Sequence, residues 1–410
     1  MSTPRQPAPP SLQLLDSAGI FQALLPLAST CGLLLEPSDG TAGGEAAQGT
    51  LGGGGGIRVR LQSVPTTADV HWFQHVAPDH VAVRFHLPHA AELVVLPKQS
   101  EKLMSDAADL LVQLGLALTL TPVRAGLVID RVRHGYFNEG LALLGEGVAA
   151  QEIEAAGAAA GYRAGPLALL DEEGLEVTDQ LYHQSLGEHG CGCGHDHGHD
   201  HGHDHGHGHS HKHEHHHEHA HEHHHGHGHH HDHDHAHDHH HGHDHAHDHH
   251  GHEHGYAHSA AESAVWPVLT EEAAYAMEKM AHGFQRKGRA AGSGFYDYYD
   301  DEDEDPELWS GLSAFLRRSV KLPADDVRDR LRYIVWVELL NSLKAHALPS
   351  AATADVAARG ADLWADGASA PLAALRGLDA DEVERRAAEL AERYGQRFVL
   401  PADWRELLKA

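Results

Sequence analysis

Cysteine is scarce in this chain of 410 residues: Cys31, Cys191 and Cys193 are all it has. Three thiols make no disulfide framework, so the fold must rest on an apolar core, and a reducing compartment, the cytoplasm, is expected. No apolar run approaches the roughly 18 residues of a membrane-spanning helix, so no membrane partner is expected. The opening MSTPRQPAPPS is polar and proline-rich, unlike a secretory leader, and residues 1–11 read as a loose tail. Basic residues are outnumbered 30 to 60 by acidic ones, giving a formal charge of −30. That balance argues against a nucleic-acid partner. A dinucleotide site is also hard to find. It needs a strand, then G-x-G-x-x-G, then a helix facing the pyrophosphate. The glycine run Gly52 to Gly56 precedes a strand instead, so it reads as a loop.

Apolar residues make up 41% of the chain, enough for real cores, and the length suggests two or three compact units. One helix is expected from about Ser17 to Ala28, followed by a short apolar run, Gly32 to Glu36. Ser38 to Gly56, rich in Gly, Ala and Thr, reads as a flexible loop. Residues 57–61, 81–85, 92–96 and 116–120 read as strands, with a helix over Glu101 to Leu114. Val128, Val132, Tyr136, Phe137, Leu141, Leu144 and Val148 follow the three-and-four spacing of a helix with one buried face. Asp130, Arg131, Glu139 and Glu146 fall on or near its other faces. A second helix over about Gln151 to Ala160 stops at Gly161, and Gly165-Pro166 opens a third.

Between Cys191 and His258 lie 36 of the 46 histidines and no aliphatic residue larger than alanine. Such a tract buries too little apolar surface to offset ordering entropy, so disorder is expected. Neutral imidazole is a common ligand for zinc, nickel and copper, and Cys191-Gly-Cys193-Gly-His195 adds two thiolates. Cys191, Cys193, His195, His197, His199 and His201 are therefore the candidate metal ligands, for Zn or Ni. His71, His75, His80, His86 and His89 lack ligand-like spacing and read as surface histidines.

The order GLVIDRV, YFNEG, GYRAGPLALLD between Gly126 and Asp171 resembles the start of the C-terminal domain of 3-hydroxyacyl-CoA dehydrogenases, over about fifty residues. GRAAGSGFYDYYDD (Gly288 to Asp301) resembles a later segment of that domain, so the histidine tract reads as a loop insertion. Residues 306–410 look like a second copy of the helical unit. Asp329-Arg330 parallels Asp130-Arg131, Glu338 parallels Glu139, and Ala370-Pro371 parallels Gly165-Pro166. The pattern is similar to the tandem arrangement in the fatty-acid-oxidation multifunctional subunit. Upstream, VAVRFHLPHAAELVVLP and LQSVPTTADV sit where the family has the second half of its nicotinamide-binding domain.

The resemblance implies NAD as cofactor, acyl-CoA as partner, and a histidine base held by a glutamate, with a serine and an asparagine on the substrate. The histidine position falls on Arg84, which stays protonated and is no base. The glutamate position falls on Leu96 and the asparagine on Asp130. Ser63 is the one family position retained. His86 is expected on the opposite side of its strand from Arg84. Asp130 and Arg131 also read as a plain helix-surface pair, Glu139 and Glu338 as packing groups, and Phe295, Tyr296, Tyr298 and Tyr299 as a packed edge.

The expected fold is α+β: a partial α/β, Rossmann-like remnant (1–121), a first helical unit (122–186, resumed at 264–305), a disordered His-rich insertion (187–263) and a second helical unit (306–410). The expected function is a 3-hydroxyacyl-CoA dehydrogenase-family protein of fatty-acid β-oxidation, impaired as a catalyst on its own. The alternatives are a non-catalytic structural or regulatory paralogue and a Zn/Ni buffer. Homodimerisation is expected through the helical units.

Overall fold

The computed structural model describes residues 17–38, 48–185 (apart from 88, 98 and 125), 266, 269–299 and 305–409 (apart from 319, 346, 347 and 366). The chain opens with α1 (Ser17–Thr30), β1 (Leu34–Ser38), β2 (Gln48–Gly52), β3 (Arg58–Ser63), β4 (His80–His86), β5 (Ala90–Val95), α2 (Glu101–Gln113) and β6 (Ala117–Pro122). The six strands form one sheet in chain order. β3 and β4 are parallel, as are β5 and β6; the other neighbours are antiparallel. α1 and α2 cover one face, where Phe21, Leu24, Leu110 and Leu111 meet Leu61, Val81, Val83 and Leu93. The Ser100 side chain caps α2 by accepting from the Leu103 amide at 3.2 Å.

β2 corrects the loop expected over Ser38 to Gly56. Its QGTLG sequence has little strand propensity, and it is held by β1 on one side and β3 on the other. Glycine is needed at Gly49, because a Cβ there would lie 2.7 Å from the Phe21 ring. The glycine run becomes a 3-10 turn, Gly54–Gly56, between two antiparallel strands.

The helical part follows with α3 (Val128–Gly145), α4 (Ala150–Ala159), α5 (Pro166–Glu173) and α6 (Leu175–Ser185). It resumes with α7 (Glu271–Glu278), which runs into a π-helical turn, Lys279–Gly283, and with β7 (Tyr296–Asp297) paired to β8 (Glu307–Leu308). Then come α8 (Ala324–Ala345), α9 (Ala351–Gly360), α10 (Pro371–Arg376), α11 (Ala380–Tyr394) and α12 (Trp404–Leu407). α3 and α8 run through the middle and are buried almost all round. That corrects the one-faced helix expected over Val128 to Val148: Asp130 and Glu139 are buried too, each with charged partners.

The same devices recur in both halves. Glu154 on α4 accepts from the Leu167 and Ala168 amides, at 2.9 and 3.3 Å, at the start of α5. Asp355 on α9 accepts from the Leu372 and Ala373 amides, at 2.8 and 3.1 Å, at the start of α10. The halves also meet reciprocally. Fully buried Arg330 of α8 donates to Glu139 of α3 at 2.6 Å and to Glu146 at 2.6 and 2.7 Å. In the opposite sense, Arg131 of α3 is the cation that acts on half-buried Glu338 of α8. Burial still leaves the Glu338 carboxyl raised. Tyr162 and Trp364 form a backbone bridge between the two inter-helix loops, with Arg163 donating to the Leu363 carbonyl at 2.7 Å.

Candidate functional site

The second face of the sheet turns toward α3. Side chains alternate along a strand, so Ala82, Arg84 and His86 of β4 share one face, as do Glu92 and Val94 of β5. Ala82 and Val94 pack there with Val64, Phe73, Val76 and Leu127. Arg84 and Glu92 are direct cross-strand neighbours. Arg84 reaches the Asp130 carboxylate through Nε, at 3.2 and 3.3 Å, and through Nη2, at 3.0 Å. It also donates to the Val64 carbonyl at 3.4 Å and to the Thr66 hydroxyl. Burial by itself would lower the Arg84 pKa, but adjacent Asp130 more than reverses this and the net shift is upward. The guanidinium is permanently charged, and all three of its nitrogens donate to protein acceptors.

Glu92 is wholly buried and reaches from the sheet to the start of α3. Its carboxyl accepts from the Val128 and Ile129 amides, both at 2.9 Å, and lies 3.2 Å from His86 Nε2. Leu127, at the N-cap position, has no side-chain acceptor, and Glu92 takes that role from another element. Burial, reinforced by Asp130, raises the Glu92 pKa to about 8. Burial, reinforced by Arg84 and Arg133, holds His86 well below the ordinary imidazole value. The pair therefore sits at neutral pH as a neutral imidazole beside a largely protonated carboxyl.

A second cluster lies along α3. Arg133 pairs with Glu173 of α5 at 2.7 Å, and His134 Nε2 lies 2.9 Å from the same carboxylate. Burial pushes the Glu173 carboxyl up, but Arg133 and His134 outweigh it and hold it well below the usual range. Arg133 also donates to the Ala361 carbonyl at 3.2 Å, tying α3 to the end of α9. The Trp266 ring stands edge-on to His134, 5.5 Å between centroids.

Of the residues singled out from the sequence, Arg84 and Asp130 are brought together. Asp130 is 3% exposed, so it is no surface residue. Ser63 is not with them. It pairs in register with Val83, whose side chain packs in the α1/α2 core on the other face. Leu96 lies just past β5 and packs with the Phe73 and Val76 cluster. Glu92, four residues earlier, is the carboxylate facing β4. His86 is buried and shares the face of Arg84, contrary to both expectations for it, because alternation has a period of two. His71, His75 and His89 are exposed and His80 is half-buried. Glu92, His134 and Glu173 were missed; a single charge inside AAELVV was the available signal for Glu92.

The aromatic block packs around another buried acid. Asp171 accepts from the Phe295 and Tyr296 amides at 2.9 Å and from the Tyr298 hydroxyl at 3.0 Å. Burial pushes its carboxyl up to about 7. Gly294 permits this approach, since a Cβ there would lie 1.9 Å from the carboxylate.

NAD, implied by the sequence resemblance, does not fit the described residues. The glycine run joins β2 to β3 and opens no helix, and the place beside β3 is taken by antiparallel β2. Among the described residues no three His, Cys, Asp or Glu side chains are arranged to hold a metal ion. Cys191, Cys193, His195, His197, His199 and His201, and the disorder expected over 187–263, lie outside the described residues, as does the tail at 1–11. No described helix is long and apolar enough to cross a membrane.

No curated protein matches the chain. Among solved structures it is similar to the dehydrogenase part of multifunctional enzyme 1 from C. elegans, at 13% identity and a TM-score of 0.45. That match covers 84% of this chain and 64% of the other, so the chain spans less than two thirds of that protein's length. It is also similar to 3-hydroxybutyryl-CoA dehydrogenase from Escherichia coli K12, at 14% identity and a TM-score of 0.48, covering 84% of this chain and 74% of that one. The family model for the 3-hydroxyacyl-CoA dehydrogenase C-terminal domain matches residues 126–195, the segment that carries α3 to α6. Residues 126–195 are therefore similar to the C-terminal domain of 3-hydroxyacyl-CoA dehydrogenases.

Proposed function

We propose that this chain is a non-catalytic relative of the 3-hydroxyacyl-CoA dehydrogenases, in which the junction between sheet and helices serves as structure and not as a hydride-transfer site. The observation that carries this reading is the Arg84–Asp130 pair. A permanently charged arginine and a buried aspartate stand at the positions that the resemblance gives to the base and to a substrate-positioning amide. All three guanidinium nitrogens donate to protein acceptors, and the neighbouring His86–Glu92 pair is turned into the start of α3. Neither group presents a proton acceptor to a 3-hydroxyl in the open. NAD binding through the sheet is not part of this reading, and the setting, cytoplasmic fatty-acid β-oxidation with acyl-CoA as ligand class, comes from the family alone. The domain divisions at 121, 186, 263 and 305 belong to the same proposal. The facing surfaces of α3 and α8 already pack on each other, so a homodimer through the helical units needs other faces. The test is purified full-length protein with NAD and 3-hydroxyacyl-CoAs of several lengths. The expected result is no NADH formation, and turnover within tenfold of about 10 per second overturns the proposal.

Composition favours a second role beside it. Thirty-six histidines and two cysteines in one tract are a set of imidazole and thiolate donors for divalent zinc or nickel. Equilibrium dialysis against each metal tests it, and uptake of no ion per chain rejects it.

A further inference from the structure

Trp266 lies between the histidine tract and α7 in sequence, and its ring rests on the start of α3. Gly126, two residues before α3, takes a φ of +66°, and a Cβ there would lie 2.3 Å from the ring. The Arg131 guanidinium carbon stands over the ring, 5.7 Å from its centroid, and the His134 imidazole meets it edge-on at 90°, 5.5 Å between centroids. Arg131 is tied to the same turn, donating from Nε to the Gly126 carbonyl at 2.9 Å. The indole is half-buried and belongs to none of the apolar clusters that the described residues form. His134 is 1% exposed. Among the described residues neither of its ring nitrogens makes a hydrogen bond: Nε2 is close to Glu173 but poorly aligned, and Nδ1 has no partner.

A tryptophan that serves a core packs against apolar side chains. Trp266 is held instead by bare backbone under one face, a cation and an imidazole. That is how a protein seats a ligand ring: a flat floor without a side chain, a guanidinium over the π-system, and a buried polar group at the edge to fix orientation. The polar group here has its bond unmade, so a ring that offers an edge N–H to Nδ1 of the neutral imidazole recovers a hydrogen bond.

We propose that Gly126, Arg131 and His134 form a binding subsite for a flat aromatic heterocycle, and that Trp266 is its tethered occupant. The free ligand lays its face on Gly126, meets Arg131 across the ring, and donates an edge N–H to His134 Nδ1. It competes with the indole, so the unaltered chain binds it weakly and removal of Trp266 opens the site. The subsite uses none of the contacts of the Arg84–Asp130 pair, and it stands whether or not that junction is catalytic.

The experiment is calorimetric titration of full-length wild type and Trp266→Ala with indole and with benzofuran, which has oxygen in place of the N–H. Indole should saturate one site on Trp266→Ala and raise its melting temperature toward that of the wild type. The wild type should bind indole at least tenfold more weakly, because the tethered ring competes at high effective concentration. Benzofuran should bind Trp266→Ala at least fivefold more weakly than indole, and His134→Phe in that background should erase the preference. Adding Gly126→Ala to Trp266→Ala should abolish saturation, since the Cβ takes the place of the ring. If Trp266→Ala does not melt cooperatively, the wild type decides: its Trp266 indole N–H resonance, assigned with Trp266→Phe, should shift with millimolar indole, and an unmoved signal overturns the proposal. So does a Trp266→Ala protein that millimolar indole does not saturate, or one that binds indole no better than the wild type. Benzofuran bound as tightly as indole overturns the place given to His134.

Discussion

Replacing Asp130 by asparagine is expected to destabilise the chain by about 3 kcal/mol, because it strands a charged arginine between the sheet and α3. The size follows from the geometry. The Asp130 side chain is 4% exposed and that of Arg84 21%, so solvent screens the pair little. Three guanidinium-to-carboxylate contacts lie between 3.0 and 3.3 Å. Removing one member of a buried pair typically costs about 3–5 kcal/mol, and the asparagine carbonyl still accepts one bond, which places the effect at the lower end. Replacing both groups by apolar ones of similar volume, Arg84→Met with Asp130→Leu, should be near neutral, since neither charge is left behind. The assay is urea unfolding, followed by circular dichroism, of Asp130→Asn and of Arg84→Met, Asp130→Leu and their double variant, the last three read as a double-mutant cycle. Coupling of about 2 kcal/mol or more is expected. If Asp130→Asn shifts stability by less than about 0.5 kcal/mol, the range of an ordinary surface change, the pair is not the clasp described above.

Glu92→Gln tests the buried carboxyl at the α3 start. Its folded pKa of about 8 lies above the ordinary 4.5, so the folded state holds the proton more tightly. Its stabilisation is full below about pH 4.5 and is lost as pH rises toward 8. Melting temperatures of wild type should fall across that window and those of Glu92→Gln should fall less; parallel curves would sink the idea. Gly294→Ala should lower stability by about 1–3 kcal/mol, through overpacking against Asp171, and an unchanged melt would show that the loop yields freely. Zinc or nickel taken up by the histidine tract at pH 7.5 should be released near pH 5, because protons compete for imidazole below its pKa of about 6.5. A titration with the same stoichiometry at both values removes histidine as the ligand.

Much of this was legible in one dimension. Strands β3 to β6 and helices α2 to α5 follow from local apolar periodicity and from Gly161, Gly165 and Pro166, whose backbone preferences act on their own neighbours. The second copy was legible because Asp130-Arg131 and Glu139 recur as Asp329-Arg330 and Glu338 at one offset. What the sequence could not supply was partnership across elements. β2 exists because β1 and β3 hold it, and Ser63 faces away from Arg84 because a parallel register sets it beside Val83. Glu92 caps a helix 36 residues further on, and Arg330 finds Glu139 at a separation of 191. Such contacts carry no local signature, because a charge in a strand or helix reads the same whether solvent or a distant counter-charge receives it. Only the packing of α3 against sheet and α8 decides that these charges are buried, paired and committed to structure.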